Sequence, residues 1–376
     1  MRVSIVDPSA FTPPYDRALA AALVRAGAEV SLHTSRFLYG PVPEAAGYEV
    51  RESFYRHAAR TGTGSRLRLP MKGAEHPGQM LGASRRLAKG ADVVHWQWLT
   101  VPLLDRYLLG KSPVPRLITL HYPLPAPGDR RALARQRSIL GRFDAVISHT
   151  RHGAERLERE VGLDPKCIHT VPHGAMDYLP ELPDPEPLPP ELRSVEGPVV
   201  LFFGLLRPYK GIDTLLEAWA SLGETDAELW IAGMPRMDIA PLRELAARTR
   251  GRVRLMPRFI SDAEIPALMR RADLLVLPYR DIEQSGVLYT GLAFGKPMIL
   301  SDIGGFAEVG RDHGAGRLVP PGDPISLATA LGELISDPAA REGLAAAARV
   351  AADGAYSWDR IAERTLSLYQ GLLAAR

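Results

Sequence analysis

"VVLFFGLLRPYKGIDTLLEAW", residues 199–219, runs from an unbroken apolar stretch through a short basic turn into a segment whose apolar residues return at helical spacing. Large apolar residues in succession, with no polar alternation, read as a strand buried on both faces, the habit of parallel sheets. The turn carries Arg207, Lys210 and Gly211, and the spacing predicts a helix over about 211–222. A parallel strand that feeds a helix has to be one of several such units. The chain supplies more on either side.

Downstream, "AELWIAG", "RVRLMPRF", "ADLLVLPY", "KPMILSD" and "GRLVPPGD" alternate with helix-compatible stretches near 238–249, 262–271 and 286–295. Upstream, "RVSIV", "AEVSLH", "ADVVHW", "RLITLHY", "DAVISHT" and "IHTVPHG" do the same with stretches such as "YDRALAAALVRAG". Between the two series, "YLPELPDPEPLPPELRSVEGP" at 178–198 is crowded with prolines, which deny helix and ladder hydrogen bonds and suggest an extended tether. The expected architecture is α/β, with two doubly wound Rossmann-like domains at 1–180 and 199–357 and a Pro-rich linker at 181–198. A closing helix at about 358–376 is expected to pack back on the first domain. The carboxyl ends of the two sheets are expected to face each other across a cleft, where such folds bind ligands.

With 376 residues the chain is long enough for two cores, and 46% hydrophobic with 24% charged residues is ordinary soluble composition. No apolar run approaches the roughly 20 residues that span a bilayer. A strand-like run starting at residue 2 leaves no charged region and apolar core of a secretory signal ahead of it, so the expected location is the cytoplasm. The single cysteine, Cys167, excludes an internal disulfide and a cysteine zinc cluster. The net charge of +3 conceals a split: residues 1–180 carry 25 Lys and Arg against 16 acids, and the remainder 21 against 27. The first half is thus +9 and the second −6, so the first half is expected to face something anionic.

At the opening turn, a helix that starts at Gly211 directs free N–H groups and its positive dipole end toward the sheet edge, which favours anions. Arg207 adds a planar fork and Lys210 a compact charge, together a phosphate grip; the alternative is a solvated basic turn. In "PYRDIEQSGVLYTGLAFGKPMIL" a strand delivers Glu283, and Ser285, Gly286 and Val287 open another helix whose amides can take up a diphosphate. A carboxylate there would repel phosphate, so Glu283 fits the hydroxyls of a neighbouring sugar, or else caps the helix. The glycine pair of "SDIGGFAEVG" precedes Glu308, a weaker candidate. In the first half "RLITLHYPLP" ends a strand at His121, placed to donate to a phosphate or a hydroxyl. His95 with Trp96 and Trp98 reads as packing, and His149 and His173 are weaker still.

"RPYKG", "EQSGVLYTGLAFGKP", "SDIGGFAE" and "LVPPGDPISLATAL", in that order after a half that carries "TLHYP" and "VPHG", resemble the family 4 glycosyltransferases of the two-Rossmann GT-B fold. The resemblance covers nearly the whole chain and is strongest over 199–330. It implies a metal-independent enzyme, with no cofactor, that transfers a sugar from a nucleotide diphosphate donor with retention at the anomeric carbon. Arg207 and Lys210 then neutralise the diphosphate leaving group, and His121 faces the reacting centre. Glu283, with Gly204, Ser285, Gly286, Val287 and Leu288, holds the donor. Two departures stand out. Gly291 occupies the position, eight after Glu283, where the family usually has a ribose-binding glutamate. The first loop, "DPSAFTPPYDRAL", has Pro13, Pro14 and Tyr15 in place of the family's glycine pair.

The expected function is therefore hexosyl transfer from a nucleotide-sugar to a sugar, lipid-linked or small-molecule acceptor, in polysaccharide or glycolipid assembly. Glycosylation of a small natural product and a catalytically silent nucleotide-sugar-binding subunit are the rivals. Basic stretches at 51–73 and 128–143 suggest peripheral contact with an anionic membrane at its inner face, with solvated arginine-rich faces as the alternative. Nucleic acid is not expected as a partner, because the basic residues are interleaved with no aromatic module. A nicotinamide dehydrogenase is disfavoured, because no G-x-G-x-x-G follows the first strand.

Overall fold

A computed structural model describes residues 1–126, 128–249, 252–282 and 284–376. The chain divides into two compact units, Met1–Gly174 with Trp358–Arg376, and Ala175–Ser357.

The first unit contains the strands β1 (Arg2–Asp7), β2 (Glu29–Ser35), β3 (Glu49–Phe54), β4 (Val93–Trp96), β5 (Arg116–Thr119), β6 (Ala145–Ser148) and β7 (Ile168–Thr170). All pairings are parallel, in the order β3-β2-β1-β4-β5-β6-β7. The second unit repeats the plan with β8 (Val199–Phe203), β9 (Glu228–Ala232), β10 (Arg252–Met256), β11 (Leu274–Leu277), β12 (Met298–Ser301) and β13 (Arg317–Val319), ordered β10-β9-β8-β11-β12-β13. Both are doubly wound Rossmann-like sheets. In each, the chain reverses its winding beside its first strand, between β1 and β4 and between β8 and β11, and such switch points are where open α/β sheets bind ligands.

The apolar runs form strands because both faces are covered: Val199, Val200, Leu201 and Phe202 are fully buried. Around them Trp219, Trp230, Tyr279 and Phe306 fill one continuous core. The Pro-rich segment 181–198 departs from the tether expected of it. Pro190 opens the one-turn helix Pro190–Arg193, which turns Leu192 inward, and Leu192, Leu179 and Val195 join the second unit's core. Prolines here remove hydrogen-bond donors without freeing the chain from packing.

The helix Trp358–Ala374 belongs to the first unit, where Ile361, Ala362 and Tyr369 share a core with Leu19 and Leu23 of the helix Pro13–Arg25. Trp358 seats on the backbone of Gly174, where a Cβ would come within 2.4 Å of its ring. No helix among the described residues is long and apolar enough to cross a membrane.

Candidate functional site

The turn that follows β8 is built by glycines. Gly204, with φ +113°, bends the chain at the carboxyl edge of the sheet; Pro208–Lys210 forms one 3-10 turn, and Gly211, φ +65°, starts the helix Ile212–Ser221. A Cβ at Gly211 would lie 2.0 Å from the Pro278 carbonyl oxygen, on the turn after the neighbouring β11. That contact sets how closely the two turns approach. Gly211→Ala is expected to cost about 3 kcal/mol, from a left-handed residue and an overpacked backbone, seen as a lower melting temperature and weaker ligand binding together.

This geometry turns Lys210 inward. It is 6% exposed, and its Nζ stands 4.8 Å from the centroid of the Tyr279 ring, with no hydrogen-bond acceptor or carboxylate among the described residues. Burial, and then the nearby Arg207 guanidinium, lower its pKa from 10.5 to about 8. Lys296, half-buried, shows the ordinary structural solution: its Nζ donates to the Ala272 carbonyl at 2.7 Å. Lys210 lacks such a partner, and Arg207 beside it is exposed and equally unpaired among the described residues. A buried cation without a counterion is costly unless an anion arrives to meet it.

The second turn faces the same space. Ser285, buried and extended at φ −143°, precedes the helix Gly286–Ala293, and its Oγ lies 3.5 Å from the Tyr279 hydroxyl. The amides of Gly286 and Val287 meet no acceptor among the described residues, and the Val287 side chain borders Gly204. Leu288 is different from its neighbours. Its amide donates to the Ser285 carbonyl at 3.0 Å and its side chain is fully buried in the core, so it offers no free donor. Gly204, Lys210, Tyr279, Ser285, Gly286 and Val287 line a pocket of about 360 Å³ at the switch point. Thr290, whose hydroxyl donates to the Gly286 carbonyl at 3.0 Å, borders it too, and neither it nor Tyr279 stands out in the sequence. Glu283 lies outside the described residues. Gly291 faces the sheet: a Cβ would come within 2.7 Å of Met298 Sδ and 2.8 Å of Leu275 Cδ2. The helix is packed too closely there for any side chain to reach the pocket.

In the first unit, His121 follows β5 and is one of four neighbouring histidines, three of which ring Tyr15. Ring centroids of His121, His149 and His173 stand 4.6, 5.4 and 4.8 Å from that of Tyr15. His149 Nδ1 donates to the Val171 carbonyl at 2.9 Å, which leaves its Nε2 as the acceptor of the neutral ring; His121 Nδ1 lies 3.4 Å from it. His121 Nε2 is 2.8 Å from the Gln97 carboxamide, and Trp98 stacks on the ring at 5.4 Å. A neutral His121 ring carries one N–H, so it donates either to Gln97 Oε1 or to His149 Nε2 and not to both. The fourth, His95, is bridged between the Tyr369 and Thr119 hydroxyls at 2.6 and 2.7 Å. Burial holds His149 at about 4, His173 and His95 at about 3, and His121 well below the usual imidazole range, so all four rings are neutral at pH 7. The first-half histidines that looked weakest in the sequence thus belong with the strongest, because three separate strand ends converge.

The loop after β1 is closed to ligands by its own side chain. The buried Asp7 carboxylate accepts from the amides of Ser9, Phe11 and Thr12 at 3.2, 2.5 and 3.1 Å. Burial and the Asp7 charge raise the pKa of the adjacent Asp16. The amides that a glycine-rich loop would offer to phosphate are consumed here, which is what Pro13-Pro14 in place of a glycine pair amounts to physically.

Two family models match the chain: "Glycosyltransferase Family 4" over residues 17–175 and "Glycosyl transferases group 1" over 197–337. The chain is 31% identical over 260 residues to the D-inositol 3-phosphate glycosyltransferase of Xylanimonas cellulosilytica, covering 65% of this chain and 62% of that one. It is 35% identical over 178 residues to the phosphatidyl-myo-inositol mannosyltransferase of Mycobacterium leprae, 46% of each chain. The match thus spans about three fifths or less of these relatives' length. Among solved structures, Anabaena HepE in complex with UDP-glucose superposes with a TM-score of 0.71 at 18% identity, over 99% of this chain and 100% of that one, which is a likeness of fold.

Proposed function

Because the chain belongs to the family 4 glycosyltransferases, we propose that its second unit binds a nucleotide diphosphate sugar, its first unit an acceptor, and that it transfers a hexosyl unit between them with retention. The observation that carries this reading is Lys210, a buried ammonium without a counterion among the described residues, at the switch point of the second sheet. A diphosphate set against Lys210, with Arg207 outside and the Gly286 and Val287 amides at the helix start, would meet those four unpaired donors together. As the glycosyl–phosphate bond breaks, its electron pair stays on the phosphate oxygen. Preorganised cations aimed there stabilise the transition state more than the ground state, and no metal is needed to take that charge.

We assign Glu283 to the donor sugar's hydroxyls. His121 is assigned to the acceptor side, as a neutral ring whose Nε2 exchanges the Gln97 carboxamide for a substrate hydroxyl. The relatives act, by name, on D-inositol 3-phosphate and phosphatidyl-myo-inositol, which favours a polyol acceptor, free or lipid-borne, in glycolipid or polysaccharide assembly. The basic first half suits such an acceptor, and peripheral contact with an anionic membrane from the cytoplasmic side. A thermal-shift series against nucleoside diphosphates and their sugar conjugates tests the donor half. A true donor raises the melting temperature by mass action, in wild type and not in Lys210→Ala. Equal shifts in the two proteins would overturn the assignment.

A further inference from the structure

The first unit carries a cluster of basic residues beyond the groups assigned above to the donor and to the reacting centre. A cavity of about 910 Å³ opens at the β2–β3 edge of its sheet, lined by Arg36, Arg51, Arg56, Arg60 and Arg86 above a floor that includes His33. It lies on the side strands, away from the turns after β1, β4 and β5. Glu52 is the one acid in the lining among the described residues.

Three of the arginines are already oriented by the fold. Arg86 donates to the carbonyls of Leu81, at 2.7 Å, and Gln79; Arg56 Nε donates to the Glu52 carbonyl at 2.7 Å; Arg51 pairs with Glu49 at 2.6 Å. Arg36 and Arg60 bond to nothing among the described residues. Setting Glu49 and Glu52 against one guanidinium each still leaves three of the five charges uncompensated. All five side chains are exposed, so packing does not oblige them to converge. Burial, and next the Arg51 charge, hold His33 at about 4, so the floor adds a neutral ring and no further charge.

We propose that this cavity binds a compound bearing two or more phosphate groups. Guanidinium forks match phosphate oxygens two at a time, and arginines pinned by backbone carbonyls lose little freedom on binding. One phosphate would leave charge unanswered; a diphosphate answers it. The volume falls within the range of sites for small organic ligands, about 300–1,000 Å³. The phosphates belong either to a soluble metabolite or to a phosphorylated lipid headgroup at a membrane.

Calorimetric titration of the full chain with inorganic pyrophosphate in about 0.1 M salt tests this. Two classes of site are expected: one lost in Lys210→Ala, and one weakened about tenfold or more by Arg36→Ala with Arg60→Ala and retained in Lys210→Ala. Both side chains are exposed and unbonded, so the double variant keeps its fold. If the donor reading alone fails, one class remains, sensitive to the arginine pair and indifferent to Lys210. Binding unaffected by the arginine pair overturns this proposal and leaves the donor reading standing. Flotation with phosphatidylcholine vesicles containing a bisphosphorylated phosphoinositide separates the sources. Flotation abolished by the arginine pair identifies a headgroup, and pyrophosphate binding without flotation identifies a soluble ligand. Neither binding nor flotation sinks the inference.

Discussion

Lys210→Ala is expected to lower kcat/KM by roughly ten- to a hundredfold with a nucleotide-sugar donor, the size of one charge-assisted hydrogen bond of about 1.5–3 kcal/mol. The loss should fall on kcat as well as KM, because the charge met by Lys210 grows as the leaving group departs. Arg207→Ala, exposed to solvent, should cost about tenfold. Lys210→Ala should at the same time stabilise the ligand-free protein, because it removes a desolvated cation with no carboxylate or hydrogen-bond acceptor among the described residues. Higher melting temperature with lower activity is a pattern that a merely structural lysine would not produce.

The pH dependence follows from the same burial. The folded-state pKa of about 8 lies below the unfolded value of 10.5, so folding favours loss of the proton. Below pH 8 both states hold the proton, and the folded state carries the whole penalty, about 3 kcal/mol. Between about 8 and 10.5 the unfolded state binds more protons than the folded one, and this group's contribution to stability rises with pH. Diphosphate binding should run the other way: a bound anion raises the lysine's pKa, so affinity falls as pH climbs past 8. Lys210→Ala should flatten both trends.

The second large effect concerns the position that departs from the family pattern. Gly291→Glu, which would restore the family's usual second glutamate, is expected to destabilise the second unit by about 3–5 kcal/mol, the cost of an unpaired buried charge, and not to improve donor affinity. The space for its Cβ is already taken by Met298 and Leu275. Circular dichroism melts and donor titration of the variant would show this. A stable variant with tighter donor binding would mean that the helix Gly286–Ala293 can rotate its face toward the ribose. Nucleotide recognition in this chain would instead rest on groups that already line the pocket, such as Thr290.

The two Rossmann-like sheets were legible because parallel strands are buried on both faces and leave continuous apolar runs. The helix predicted over 211–222 spans Ile212–Ser221 for the same reason: its apolar spacing has only one face to bury. The Pro-rich segment was misread, since composition reports which backbone bonds are missing and not whether Leu179, Leu192 and Val195 find a core. In sequence Lys210 read as half of a phosphate grip, with a solvated basic turn as the alternative, but nothing there showed that it is buried. Its burial depends on Gly211 letting the turn press against Pro278, a contact between residues 67 positions apart. Leu288 was grouped with its neighbours as a donor ligand because spacing does not disclose that the Ser285 carbonyl has taken its amide. The histidine cluster and the Asp7 cage were hidden likewise. Each is assembled from strand ends or loop amides that only the sheet order brings together.

The most direct measurement is a crystal structure of the chain with a nucleoside diphosphate. The account predicts phosphate oxygens within about 3 Å of Lys210 Nζ and of the Gly286 or Val287 amide, with the Arg207 guanidinium drawn in beside them. Phosphates bound elsewhere on the second unit, with Lys210 still lying unpaired over Tyr279, would contradict it.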